Sequence, residues 1–169
     1  PDARLICTEG QQSLYRIKPP AAVSKAPIAR TRLPVAVIRP SVNSDAVMSM
    51  VDRDRTTRWE SGPQTERVVV EIDLGGVRTV QGLDLWLGPF VEDFPRGLAI
   101  EASEDGQSWS DVWRGSSAGL AFVAAFEAPR DVPLKYRFPA AQARMLRLRL
   151  TASDPTYYWS IAELIVLGP

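Results

Sequence analysis

The feature that most narrows the fold is a two-residue alternation of apolar and polar side chains, repeated in separate stretches along the chain. In "RVVVEIDLGG" the residues Val68, Val70, Ile72 and Leu74 share one phase, and Arg67, Glu71 and Asp73 take the other. "GLDLWL" sets Leu83, Leu85 and Leu87 against Asp84 and Trp86, and "MLRLRLTAS" sets Leu146, Leu148 and Leu150 against Arg147 and Arg149. Each such run is a strand with one buried and one wet face. "LAIEASEDGQSW" alternates Leu98, Ile100 and Ala102 against Glu101 and Ser103, then reaches Asp105-Gly106, a dipeptide suited to a tight hairpin turn. Many short strands separated by Gly, Pro and Asp predict an antiparallel β-sandwich; a parallel α/β sheet would need crossover helices, for which the sequence has no long period.

The one helix expected is "SDAVMSMV", capped by Ser44 or Asp45. The apolar stretch 116–129, "SSAGLAFVAAFEAP", reads as a core strand, with a surface offered to a neighbour as the alternative. Residues 18–34 hold four of the 14 prolines and four Lys or Arg, a composition that stays extended, and are expected to be a linker. Residues 1–34 thus form an N-terminal extension and Pro-rich linker ahead of a domain over 35–169. Within that extension, "RLICT" and "SLYRI" predict a hairpin or the tail of a preceding domain, with some pairing onto a sandwich edge.

Lys+Arg and Asp+Glu number 20 each, so the net charge is zero and the long-range attraction that nucleic-acid binding draws on is missing. The chain has no histidine, which removes Ser-His and Cys-His nucleophile pairs and His-ligated zinc. Cys7 is the single cysteine, so no intrachain disulfide forms, a composition compatible with the cytosol or a bacterial envelope. No apolar run is long enough to insert in a membrane, and the start "PDARLICTEG" reads as part of a longer chain.

"MVDRDRTTRW", residues 50–59, gathers Asp52, Asp54, Thr56 and Thr57 before Trp59, with Arg53, Arg55 and Arg58 between them. Three readings compete: a cation site, a salt-bridged solvated turn, and a catalytic acid pair. The last is the weakest, because general acid work needs a carboxyl at raised pKa and three arginines push the other way.

In order and spacing, "MVDRDRTTRW", "VVVEIDLGGVRTVQGLDL", "LAIEASEDGQSWSDV", "ARMLRLRLTAS" and "WSIAELIVLG" resemble the coagulation factor 5/8 type C (discoidin) family, including its bacterial carbohydrate-binding modules. The resemblance covers about residues 36–168. It implies an all-β, eight-stranded antiparallel jelly-roll β-sandwich of the galactose-binding-like type. It also implies one structural Ca²⁺, held by Asp52, Asp54, Thr57 and Glu163. Hard oxygens from carboxylate, hydroxyl and carbonyl suit that ion. The family usually has Gly where this chain has Arg53, and Gly is what allows positive φ.

In sugar-binding relatives the ligand sits on loops at one end of the sandwich, where an aromatic face stacks on the sugar and polar groups bond its hydroxyls. By that resemblance the ligand residues here are Trp86, Phe90, Phe94, Arg96, Tyr157 and Tyr158, with Glu92, Asp93 and Asp154 in reach; Trp59, Trp109 and Trp159 are packing. The same aromatics serve equally as core or rim. The histidine of several galactose binders is absent. The expected function is a non-catalytic carbohydrate-binding module of a larger bacterial envelope or secreted protein, at the periplasm, cell surface or outside. Its partners would be a glycan and the remainder of its own polypeptide. The alternative is a structural or protein-interaction domain of a membrane-anchored parent such as a glycosyltransferase, without a sugar site.

Overall fold

The structure, a computed structural model, describes residues 3–9 and 12–17 by their strand pairing and residues 31–169 in full. Most of the expected linker, residues 18–30, lies outside the described residues. Strands β1 (Ala3–Glu9) and β2 (Gln12–Ile17) pair antiparallel from Ala3 opposite Ile17 to Glu9 opposite Gln12. They make a two-stranded sheet of their own, so among the described residues the expected pairing onto a sandwich edge is not made.

Strand β3 (Thr31–Arg32) already belongs to the main sheet, pairing with Leu167 and Gly168, although it falls in the stretch read as linker. The reason is local. Gly168 has no Cβ, and one placed there would lie 2.8 Å from Leu33 Cδ2, so Leu33 packs closely over it while its N–H reaches Val166 O at 2.9 Å.

Eight strands follow: β4 (Val37–Pro40), β5 (Trp59–Gln64), β6 (Val69–Trp86), β7 (Leu98–Ser103), β8 (Ser110–Gly115), β9 (Pro133–Leu150), β10 (Asp154–Ile161) and β11 (Glu163–Gly168). All their pairings are antiparallel, and the expected jelly-roll β-sandwich is the fold. The larger sheet runs β3-β11-β6-β9-β7-β8, with β4 beside β6; β5 and β10 form the smaller one. The 18-residue strands β6 and β9 pair along most of their length, with a break between Asp73 and Arg78. Before the break β6 takes β4 on its free edge, and after it β11.

The alternation sets which face is buried. Val68, Val70, Ile72, Leu74, Leu83, Leu85, Leu87, Leu98, Ile100, Leu146, Leu148 and Leu150 all lie in the core. From the smaller sheet, Trp59 and Trp159 meet edge to face at 5.4 Å and are fully buried. Trp109 departs from the packing role expected of it: it is half-buried, beneath the Arg147 guanidinium at 4.2 Å.

Three local expectations are corrected. The stretch 116–129 is not a strand: it carries α1 (Ala118–Glu127), which buries Ala121 and Ala124 and exposes Phe122 and Phe126. Alanine favours helix, and the two phenylalanines, four apart, meet on one face at 4.9 Å. The expected helix is a 3₁₀ helix, Ser44–Met50, entered through Asn43 at φ 51° with no side-chain cap from Ser44 or Asp45. Asp105-Gly106 is not a two-residue hairpin turn; the strands part at Ala102 and Ser110, and Asp105 Oδ1 holds the loop by accepting the Gln107 and Ser108 N–H groups at 2.8 Å.

Candidate functional site

The loop after the 3₁₀ helix is built on its own carboxylates. Asp52 Oδ1 accepts the Asp54 N–H at 2.8 Å, and Asp54 Oδ1 accepts the Thr56 N–H and hydroxyl at 2.9 and 2.6 Å. Thr56, through its hydroxyl and then its N–H, holds the exposed Asp54 carboxyl below its ordinary range. Thr57 Oγ1 lies 2.7 Å from Asp52 Oδ2 and 2.9 Å from Asp54 O. Two hard oxygens therefore gather around one hydroxyl.

Glu163, 3% exposed at the start of β11, joins this loop from the far end of the chain. Its Oε2 accepts the Arg53 N–H at 3.0 Å and its Oε1 the Arg32 guanidinium at 2.8 Å. The structure thus brings Asp52, Asp54 and Thr57 together and links Glu163 to them through Arg53. No three carboxylates converge on one point among the described residues. Arg53 stands at φ 67°, the left-handed region, so the backbone keeps the conformation for which glycine is best suited.

Beyond this loop, one end of the sandwich carries three stacks of aromatic ring, guanidinium and carboxylate. Arg55 lies over Trp86 at 3.3 Å from the ring centre and pairs with Asp131. Arg58 lies over Phe90 at 3.7 Å, bonds Glu60 at 2.5 Å and reaches Asp93 at 3.3 Å. Arg96 lies 4.0 Å from the Phe94 ring centre and 4.6 Å from that of Tyr157, with its Nε donating to Asp154 at 2.8 Å. Of the rings expected to stack on a sugar, Trp86, Phe90, Phe94 and Tyr157 each carry an arginine: the guanidinium spreads its flat face on the ring and turns its N–H edges outward.

Arg96 is the most firmly held of the three. Besides Asp154, its Nη1 donates to Glu92 O at 3.1 Å and Phe94 O at 3.4 Å, while Nη2 has no partner among the described residues. Arg96 first, then the Thr156 and Tyr157 N–H groups, hold the Asp154 carboxyl down at about 2. Behind them sits Gln64, 1% exposed, which sequence reasoning passed over. Its Nε2 donates to Phe94 O at 3.0 Å and Tyr158 O at 2.8 Å, and its Oε1 accepts the Arg96 N–H at 2.9 Å. One buried amide therefore ties loop 87–97 to β10, and a polar residue ending a strand was its only signal. Tyr158 is half-buried, its carbonyl committed to that amide, and Tyr157 is the more exposed of the pair. Arg55, Arg58 and Asp131 were also missed as parts of this end.

Elsewhere, the outward arginines of β9 are not a free anion-binding face. Arg147 and Arg149 both bond Glu101, at 2.6 and 3.1 Å. Burial pushes the Glu101 carboxyl up, and the two guanidiniums outweigh it, leaving it below its ordinary range.

The sequence profile of the F5/8 type C domain matches residues 41–164. Among solved structures, the CBM32 of AlyQ in complex with 4,5-unsaturated mannuronic acid superposes with a TM-score of 0.64 at 20% identity, over 83% of this chain and 100% of that one. A truncated AlyQ with CBM32 and alginate lyase domains gives 0.62 at 21% identity over 82% of this chain, which spans only 34% of that longer protein. Chitosan-binding module 2 of a chitosanase/glucanase from Paenibacillus sp. IK-5, in complex with chitotriose, gives 0.60 at 22% identity, over 81% of this chain and 98% of that one. At these identities the likeness is one of fold. No curated protein sequence matches significantly.

Proposed function

The chain belongs to the F5/8 type C domain family, and on that premise we propose that it is a non-catalytic carbohydrate-binding module that meets a glycan through the loops at one end of its sandwich. The observation that carries this reading is Arg96: a guanidinium fixed by Phe94, Tyr157 and Asp154, with Nη2 uncommitted among the described residues. A donor held in place before binding pays little ordering entropy when it bonds a hydroxyl. The surrounding carboxylates argue against hydrolysis. Asp154 is held down at about 2, the reverse of the raised pKa that a glycosidase acid requires.

The wild-type domain and Arg96→Ala on a glycan array test this. The proposal expects glycans whose binding weakens about tenfold or more in the variant, the scale of a lost hydrogen bond to a charged group. Binding indifferent to Arg96 would remove it.

A structural Ca²⁺ belongs to the same proposal. Asp52 Oδ2, Asp54 O and the Thr57 hydroxyl that both of them meet have the chemistry for a hard cation. Glu163 could join them only by giving up the Arg32 pair or the Arg53 N–H. The ion would pin the loop and take no part in recognition. We place the module outside the cytoplasm, as part of a longer bacterial polypeptide, where glycans are met. No helix among the described residues is long and apolar enough to cross a membrane.

A second reading, a protein-interaction domain of a membrane-anchored parent such as a glycosyltransferase, rests on α1, whose Phe122 and Phe126 are 67% and 77% exposed. Loss of all array binding with an intact fold would favour it.

A further inference from the structure

Trp86 and Asp131 share an unusual condition. Among the described residues, the Trp86 indole Nε1 is a buried donor without an acceptor, and Asp131 Oδ1 is a buried acceptor without a donor. Buried polar groups are nearly always paired, so two orphans around one side chain call for an explanation. Both residues touch Arg55, which lies on the Trp86 ring and pairs with the other oxygen of Asp131. Trp159 Nε1 also lacks an acceptor among the described residues, but it sits in the core against Trp59, where no solute reaches.

Arg55 is well placed to move. Its side chain is 39% exposed, and it already borders an open cleft of about 550 Å³ that it shares with Arg32, Arg53, Asp54, Glu163 and Ile165. Its backbone, by contrast, is fixed, because its carbonyl packs on Gly88 where no Cβ would fit. The stem is anchored and the head has somewhere to go.

We propose that Trp86, Asp131 and Arg55 form a second saccharide subsite, separate from the Arg96 locus, in which Arg55 covers the indole face until a pyranose displaces it. A sugar supplies what the two orphans lack. Its apolar C–H face stacks on the ring that the guanidinium leaves, and one hydroxyl accepts from Trp86 Nε1 while it or a neighbour donates to Asp131 Oδ1. A neutral or amino pyranose suits the subsite better than an acidic one, since the Asp131 carboxylate, released from Arg55, disfavours a second anion. The idea rests on the carbohydrate-binding reading and extends it to residues on other loops.

The test follows the indole N–H signals of the ¹⁵N-labelled domain, with Trp86 assigned by Trp86→Phe, while chitotriose and an alginate trisaccharide are titrated into wild type, Arg96→Ala and Arg55→Ala. The subsite expects the Trp86 indole signal to move with chitotriose, and Arg55→Ala to bind it about threefold or more tightly, because the covering conformer no longer reduces the competent fraction. Weaker or unchanged chitotriose binding in Arg55→Ala, or a Trp86 signal that stays still while residues near Arg96 respond, would overturn the subsite and leave the Arg96 reading intact. Trisaccharide-induced shifts at Trp86 that persist in Arg96→Ala would support the subsite alone. Silence throughout, in all three proteins, would end both.

Discussion

Arg53 donates its backbone N–H to Glu163 Oε2 at 3.0 Å from a left-handed conformation, φ 67°. The two residues are 110 positions apart, and that one bond fastens the Asp52–Thr57 loop to the start of β11. The backbone takes a geometry suited to glycine under a side chain that strains it. An L-residue in this region costs about 1–2 kcal/mol, and glycine gives back part of that in chain entropy. Arg53→Gly is expected to stabilise the domain by about 0.5–1 kcal/mol in urea unfolding. A destabilised variant would mean that the arginine side chain makes a compensating contact.

Glu163→Gln tests the other end of that bond. The amide keeps the shape but loses the charge that holds Arg32, in a carboxylate that is 4% exposed. A loss of about 2 kcal/mol is expected, reduced from a fully buried pair because Arg32 is 47% exposed. If the loop also holds calcium, chelator lowers the wild-type melting temperature and added Ca²⁺ restores it. A melting curve indifferent to chelator removes the ion from the account.

The stability of the fold should fall in acid, and Asp105 and Asp154 are the carboxyls held down furthest. Asp105, held by the Ser108 and Gln107 N–H groups, and Asp154, held first by Arg96, both titrate at about 2 in the folded chain against 3.8 when free. The folded state therefore keeps these charges to lower pH than the unfolded state. Their contribution is complete above about pH 4 and disappears as pH falls toward 2. Asp105→Asn and Asp154→Asn should each flatten the melting temperature across that window and leave the slope at neutral pH unchanged.

Ser117→Ala should be costly for a substitution so small. Ser117 Oγ and Tyr136 OH lie 2.8 Å apart, and both residues are fully buried. Burial pushes the Tyr136 hydroxyl up, so it stays protonated and needs a partner. Leaving it alone costs about 1–3 kcal/mol, measurable by thermal or urea unfolding.

Gly88→Ala should disturb both packing and the covering arginine. At φ 59° an L-residue is strained, and a Cβ there collides with the Arg55 carbonyl. A loss of about 2 kcal/mol or more is expected, together with a shift of the Trp86 indole signal as the Arg55 loop moves. An unperturbed Trp86 would show that the loop relaxes elsewhere.

The sequence by itself determined the strands and their inward faces. Alternation is a local property, and a residue two positions along returns to the same face whatever the rest of the chain does, so Val70, Ile72, Leu83, Leu146 and Leu148 were assigned to the core from the letters alone. It also named the loop and its distant glutamate, by family resemblance. Apolarity alone predicts a strand over 116–129, whereas Ala121 and Ala124 buried three apart and Phe122 and Phe126 stacked four apart are a helical spacing. What only the tertiary structure decided is what covers what. Arg55 reaches Trp86, Arg58 reaches Phe90 and Arg32 reaches Glu163 across gaps of sequence that carry no period. Such pairings arise where folded loops meet in space, and a guanidinium on a flexible stem takes whichever ring and carboxylate the fold brings within its reach.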